Sequence, residues 1–82
     1  MQTKSNPTKA LVWSGQNCPW CERAKALLEA KGIPYTVKQI GVDGVTKDDF
    51  FAANPGARTV PQVWFDDETL VGGFEQLKAV LQ

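Results

Sequence analysis

The sequence has no histidine, only two cysteines and no net charge, and each shortage removes a class of function. A c-type haem needs a histidine directly after the second of two cysteines. That position is Glu22, so haem attachment is excluded. A structural zinc site takes four Cys or His ligands, and a chain with two cysteines supplies half of one. A zinc or iron–sulfur site shared between two chains stays open on these residues. Nine basic and nine acidic residues cancel, which leaves no electrostatic footprint for nucleic acid or an anionic membrane. Long apolar runs are also missing. ALVW at 10–13 is far short of the roughly 20 apolar residues that cross a bilayer as a helix. The N-terminal MQTKSNPTK is polar and does not read as a signal peptide. The expectation is a soluble cytoplasmic protein with neither nucleic acid nor membrane as partner. In a reducing compartment a cysteine pair is more often catalytic or metal-binding than structural. A secreted disulfide scaffold this short usually carries four or more cysteines.

What is present fits one small domain of 82 residues. Such a chain buries only about 60–65% of its unfolded surface, so the core must be compact. Residues 1–8 read as a flexible tail, with Asn6-Pro7 breaking local order, and residues 9–82 as the domain. KALVWS at 9–14 has strand length. A helix follows, with Cys18 at its N-cap and Pro19 at the first helical position, where a missing N–H costs nothing. Cys21, Ala24, Leu27 and Leu28 make its apolar stripe. Gly32 ends it in the left-handed region, and Pro34 confirms the stop. YTVKQI at 35–40 is a second strand, and the three elements suggest a right-handed parallel βαβ unit. After the loop punctuated by Gly41 and Gly44, Thr46 caps a second helix carrying Phe50, Phe51 and Ala53, stopped by NPG at 54–56. QVWFD and TLV flank an Asp67-Glu68 hairpin turn, so these strands should be antiparallel. Gly72-Gly73 opens a last helix with Phe74, Leu77, Val80 and Leu81 on its apolar face. The order βαβαββα describes an α/β fold: a mixed sheet of about four strands with helices on both faces. Trp13 and Trp64 read as core.

The two cysteines, in NCPWCERAKALL at 17–28, suit redox chemistry. Residues three apart in a first helical turn have Cβ atoms roughly 5–6 Å apart, near the window for a disulfide. A thiol with a pKa near 8.5 is only about 3% ionised at neutral pH, and the thiolate is the nucleophile. With Cys18 at the N-cap, the N–H groups of Trp20 and Cys21 are free donors near its sulfur. A helix dipole contributes about 0.3–1 kcal/mol, whereas a three-unit pKa drop needs about 4 kcal/mol. Direct hydrogen bonds must therefore supply most of any large shift. Cys21 shares its face with Ala24 and Leu27 and turns inward. Cys18, at the helix mouth, is the expected nucleophile, Cys21 the resolving thiol, and Pro19 stiffens the loop between them. Arg23 and Lys25 could add positive potential. Trp20, between the cysteines, has little room inside and should form an exposed apolar rim.

CPWC opening the first helix, TVP at 59–61 before a strand, and GG at 72–73 before the last helix together resemble the dithiol glutaredoxins. ERAKALLEAKGIPY and TVPQVWFDD are similar to that family as well, and the likeness spans roughly residues 9–82. It implies a thioredoxin fold, a cis Val60–Pro61 bond and reduction of protein disulfides or glutathione mixed disulfides. Glutathione would be the electron source and co-substrate, with no tightly bound cofactor, and the chain a monomer. Val60 would present its backbone N–H and C=O to an extended thiol peptide beside Cys18. Glutathione carries two carboxylates and an amine. The N–H groups of Phe74 and Glu75 after Gly72 and Gly73 suit one carboxylate, and Arg58, beside Thr59, Val60 and Pro61, could meet the other. Two positions depart from the family pattern. Many glutaredoxins carry a lysine three residues before the first cysteine, which is Gly15 here. Many carry an acid three residues after the second glycine, which is Gln76 here, with Glu75 beside it. Each departure removes a charged contact to glutathione and leaves the disulfide chemistry intact. The alternatives are a thioredoxin-like redoxin recharged by a reductase, resembling the small electron donors of ribonucleotide reductase, and a dimer holding an iron–sulfur cluster through Cys18 and glutathione.

Overall fold

The computed structural model describes residues 8–66 and 69–81. The elements follow the expected order: β1 (Ala10–Ser14), α1 (Pro19–Ala30), β2 (Tyr35–Gln39), α2 (Lys47–Ala53), β3 (Gln62–Phe65), β4 (Thr69–Gly72) and α3 (Phe74–Leu81). β1 pairs in parallel with β2 and antiparallel with β3, and β3 pairs antiparallel with β4, so the sheet runs β2-β1-β3-β4. This is the mixed four-stranded sheet of the thioredoxin fold. The Asp67-Glu68 turn and residues 1–7 of the expected tail lie outside the described residues. Thr8 and Lys9 each donate a backbone N–H to Asp66 Oδ1, at 3.0 and 3.1 Å, which pins the entry to β1 against the exit of β3.

Strand side chains alternate between the two sheet faces, and here the faces differ. Ala10 and Val12 of β1, with Val63 of β3, turn toward α1 and α3 and join Ala24, Leu28, Ile33 and Leu77 in one core. Val12 lies directly between Val37 and Val63 across the sheet. Leu28 and Leu77 are completely buried, which stabilises the fold by about 2–3 kcal/mol each. Leu11, Trp13 and Trp64 turn the other way, toward α2. The Trp13 ring meets Phe50 edge-on at 6.0 Å. Trp64 is only half-buried, contrary to the expectation of a core tryptophan. It runs its indole N–H 2.8 Å to Asn54 Oδ1, because α2 is a seven-residue helix that covers the Trp13 end of this face.

Local chemistry fixes the helix ends. Cys18 is the α1 N-cap with Pro19 at the first position. At the other end Gly32 adopts φ +71°, and its N–H bonds the Glu29 carbonyl at 3.0 Å. Thr46 and Asp49 form a reciprocal capping box on α2, with Asp49 N–H to Thr46 Oγ1 at 3.1 Å and Thr46 N–H to Asp49 Oδ2 at 2.9 Å. The Thr46 backbone N–H, and then its hydroxyl, hold the Asp49 carboxyl below its ordinary pKa. On α3, Leu77 is buried but Val80 is 51% exposed, not core-facing as expected. At 100° per residue Phe74, Leu77 and Leu81 share an arc of about 60°, and Val80 falls about 60° beyond it.

Candidate active site

The start of α1, the segment before β3 and the start of α3 meet at one end of the sheet. Cys18 and Cys21 are joined there in a disulfide with Cα atoms 5.2 Å apart. Cys21 has no exposed surface, while Cys18 is partly exposed, the asymmetry read from the helical stripe. Cys21 N–H points at Cys18 Sγ at 3.1 Å. That is a direct hydrogen bond to the sulfur, of the kind that favours a thiolate when the pair is reduced. Val60 O lies 3.8 Å from Cys18 Sγ. The Val60–Pro61 bond is cis, as the resemblance implied.

The position three residues before Cys18 is crowded as well as uncharged. A Cβ on Gly15 would sit 3.0 Å from Val60 Cγ2, so the residue that brings β1 past the Val60 loop has little room for a side chain. Trp20 is 47% exposed, as expected of a rim. Its ring lies 5.5 Å from that of Phe74, and the Arg23 guanidinium sits 4.5 Å over its face. Lys25 instead pairs with Glu22 one turn back, at 2.7 Å.

Two cavities flank Cys18. The larger, about 640 Å³, lies toward α2; Cys18, Pro19, Arg58, Thr59 and Val60 line it. The smaller, about 330 Å³, lies toward α3; Trp20, Thr59, Val60, Pro61, Gly73, Phe74 and Glu75 line it. The two cavities thus collect the expected site residues, with two exceptions. Cys21 is sealed beneath Cys18. Gly72 lines neither cavity; it ends β4 with φ +118°, a conformation that glycine adopts without a steric penalty. A Cβ there would meet Gln76 Cγ at 3.1 Å.

Sequence reading missed Lys47, Ile40, Phe50 and Phe51, which also line the larger cavity. Only the Thr46 cap hinted that Lys47 opens α2. It also missed the job of Gln76, whose Oε1 accepts the Gly73 N–H at 3.0 Å. A Gln at the third helical position was the available signal. The first of the four α3 donors is thereby satisfied within the chain, leaving those of Phe74, Glu75 and Gln76 in the first turn.

A four-stranded mixed sheet with a disulfide opening its first helix, beside a cis-proline loop, defines a thiol–disulfide oxidoreductase of the thioredoxin fold. Residues 8–70 match the family model described as Glutaredoxin. The chain is 38% identical over 69 residues to a probable glutaredoxin of Synechocystis sp., aligning 84% of this chain and 62% of that protein, so it spans less than two thirds of that relative. It is 34% identical over 70 residues to glutaredoxin 3 of Escherichia coli K12, aligning 84% of this chain and 81% of that one. Reduced Escherichia coli glutaredoxin superposes with a TM-score of 0.73 at 29% identity, covering 89% of this chain and 92% of that one. The chain belongs to the glutaredoxin family.

Proposed function

We propose that the chain is a glutathione-dependent reductant of protein disulfides and glutathione mixed disulfides, working as a cytoplasmic monomer without a tightly bound cofactor. The observation that carries this reading is the unequal cysteine pair, one sulfur reachable at a helix N-cap and the other buried one turn on. In the reduced protein the Cys18 thiolate attacks one sulfur of a substrate disulfide. A Cys18–substrate bond forms, the substrate S–S bond breaks, and the second half leaves as a thiolate that takes a proton from water. Cys21, as thiolate, then attacks Cys18 Sγ, closing the internal disulfide and releasing the remaining substrate thiol. The substrate gains two electrons and two protons; the pair gives up the two electrons and the Cys21 proton, and solvent supplies the other proton. Two glutathione molecules restore the pair. The first opens the disulfide by bonding to Cys18, and the second takes that glutathionyl group away as glutathione disulfide. On a glutathione mixed disulfide, Cys18 takes up the glutathionyl group, and a free glutathione alone resolves it.

The flanking residues supply binding. Val60 offers backbone N–H and C=O to the backbone of an extended thiol, while Thr59 and Pro61 fix the loop. Trp20 and Phe74 form an apolar rim. Arg58 faces one glutathione carboxylate, and the first-turn N–H groups after Gly72 and Gly73 face the other, with Glu75 near the amine. A redoxin recharged by a reductase is the second reading. It is favoured by the missing charges at Gly15 and Gln76, which leave glutathione fewer ionic contacts. The test is a pair of serine variants. Cys18→Ser abolishes turnover of every disulfide. Cys21→Ser keeps deglutathionylation within a few-fold and loses reduction of protein disulfides. Full turnover by Cys18→Ser would remove Cys18 as the nucleophile.

A further inference from the structure

We infer that the α2-side cavity selects polypeptide disulfides in which the cysteine is followed by a bulky apolar residue and then an acidic one; this rests on the oxidoreductase reading above. In an antiparallel pair one residue exchanges both of its backbone hydrogen bonds with the residue opposite. Val60 has both groups available for that, since among the described residues its N–H has no backbone acceptor and its carbonyl meets only the Cys18 sulfur. A substrate cysteine opposite Val60 in this sense runs its following residues back along Thr59 and Arg58, into the α2-side cavity.

That cavity has the two features such a segment recognises. Its apolar lining comes from Ile40, Phe50 and Phe51, and Phe51 is 49% exposed although its ring packs 5.3 Å from that of buried Phe50. A large apolar ring kept half in solvent beside a reactive sulfur gains by being covered. The charged residues of the lining are Lys47 and Arg58, both cationic. The nearby Asp49 carboxylate is turned onto Thr46 N–H. The α3-side cavity has Glu75 as its charged lining residue, so the two flanks of Cys18 are opposite in sign, and an acidic substrate residue is steered to the α2 side. Glutathione places only glycine after its cysteine and leaves the phenylalanine wall unused. The volume of about 640 Å³ suits a larger residue.

The experiment is a single-turnover reaction of the full chain, reduced beforehand and freed of reductant, with symmetric disulfides of four blocked peptides. These carry Cys-Leu-Glu, Cys-Leu-Gln, Cys-Gly-Glu or Cys-Gly-Gln, each acetylated and amidated. Released peptide thiol is measured after acid quench, and hydroxyethyl disulfide serves as a reference. Each enzyme is compared only with itself, so a general loss from imperfect folding cancels. The Leu peptides should react about ten-fold faster than the Gly peptides, and Glu peptides about three-fold faster than Gln at low salt. Phe51→Ala should erase most of the first ratio and keep the second. Lys47→Gln should shrink the second and keep the first. Rates within two-fold across the four peptides, or ratios unchanged in both variants, would overturn the proposal while thiol release continues. No release from any disulfide, hydroxyethyl disulfide included, would instead overturn the oxidoreductase reading and this proposal with it.

Discussion

The two faces of the sheet are built on different physics. On the α1/α3 face, Val12, Val63, Ala24, Leu28 and Leu77 are all completely buried, and the packing is aliphatic and continuous. On the α2 face a seven-residue helix is held by polar links: the Thr46–Asp49 box and the buried Asn54. Asn54 donates its side-chain amide to Phe50 O at 2.9 Å and accepts from Trp64 at 2.8 Å. Trp64 and Leu11 stay partly open beside it. The closed face supplies stability and anchors the buried Cys21 through α1. The lightly covered face leaves Phe51 and Lys47 beside Cys18. The cysteine pair sits at the end where both faces meet, with a fully closed aliphatic face on one side and a lightly covered one on the other.

That contrast predicts graded losses. Leu28→Ala, on the closed face, should cost about 2–5 kcal/mol in denaturant unfolding. A cost below 1 kcal/mol would mean the core there is looser than described. Asn54→Ala leaves the Trp64 indole N–H without its acceptor, while Phe50 O keeps the backbone N–H of residue 54 at 2.9 Å, and should cost about 1–3 kcal/mol. Its signature should be faster amide exchange confined to α2 and β3. Uniform loss of protection would contradict the separation of the faces. Thr46→Ala removes a cap and should cost about 1 kcal/mol, read as earlier fraying of α2.

The smallest effect lies far from the pair, where the Tyr35 hydroxyl donates to Glu29 Oε2 across α1 and β2. This bond, then burial and the Glu29 charge, push the phenol up from 10.0 to about 12. The folded pKa is raised, so this contribution is fully present below about pH 10 and is lost as pH rises toward 12. Tyr35 is the only tyrosine, so phenolate absorbance reports it directly. An apparent pKa at 10 in the folded protein would contradict the bond, and Tyr35→Phe should flatten the fall in thermal midpoint over that interval.

Much of this was legible in the sequence because it is local chemistry. An N-cap cysteine followed by proline, a threonine cap and a glycine at a helix end each satisfy backbone groups within a few residues of themselves. The parallel β1–β2 pair followed from the βαβ unit and the antiparallel β3–β4 pair from the hairpin, whereas the β1–β3 pairing that joins them is long-range and did not. The cis bond at Pro61 came only from resemblance, since the residues around it do not dictate it. What escaped is long-range. Phe50 and Phe51 are adjacent and alike in composition, and only the packing of Trp13 decides which is buried. Trp64 looked like core because a strand pattern says nothing of how short the covering helix is. Lys47 and Arg58 are far apart in sequence, and the cavity they share is formed by the fold. Gln76 read as a lost charge, whereas it caps Gly73.

The measurement that tests the central claim most directly is turnover of a small mixed disulfide by the full chain, with electrons supplied either by glutathione and its reductase or by thioredoxin reductase. The account predicts saturable turnover with glutathione, meaning that Arg58, Val60 and the Gly72-Gly73 turn suffice without charges at Gly15 and Gln76. Turnover only with thioredoxin reductase would contradict it, leaving the disulfide chemistry of Cys18 and Cys21 in place but tied to a different electron donor.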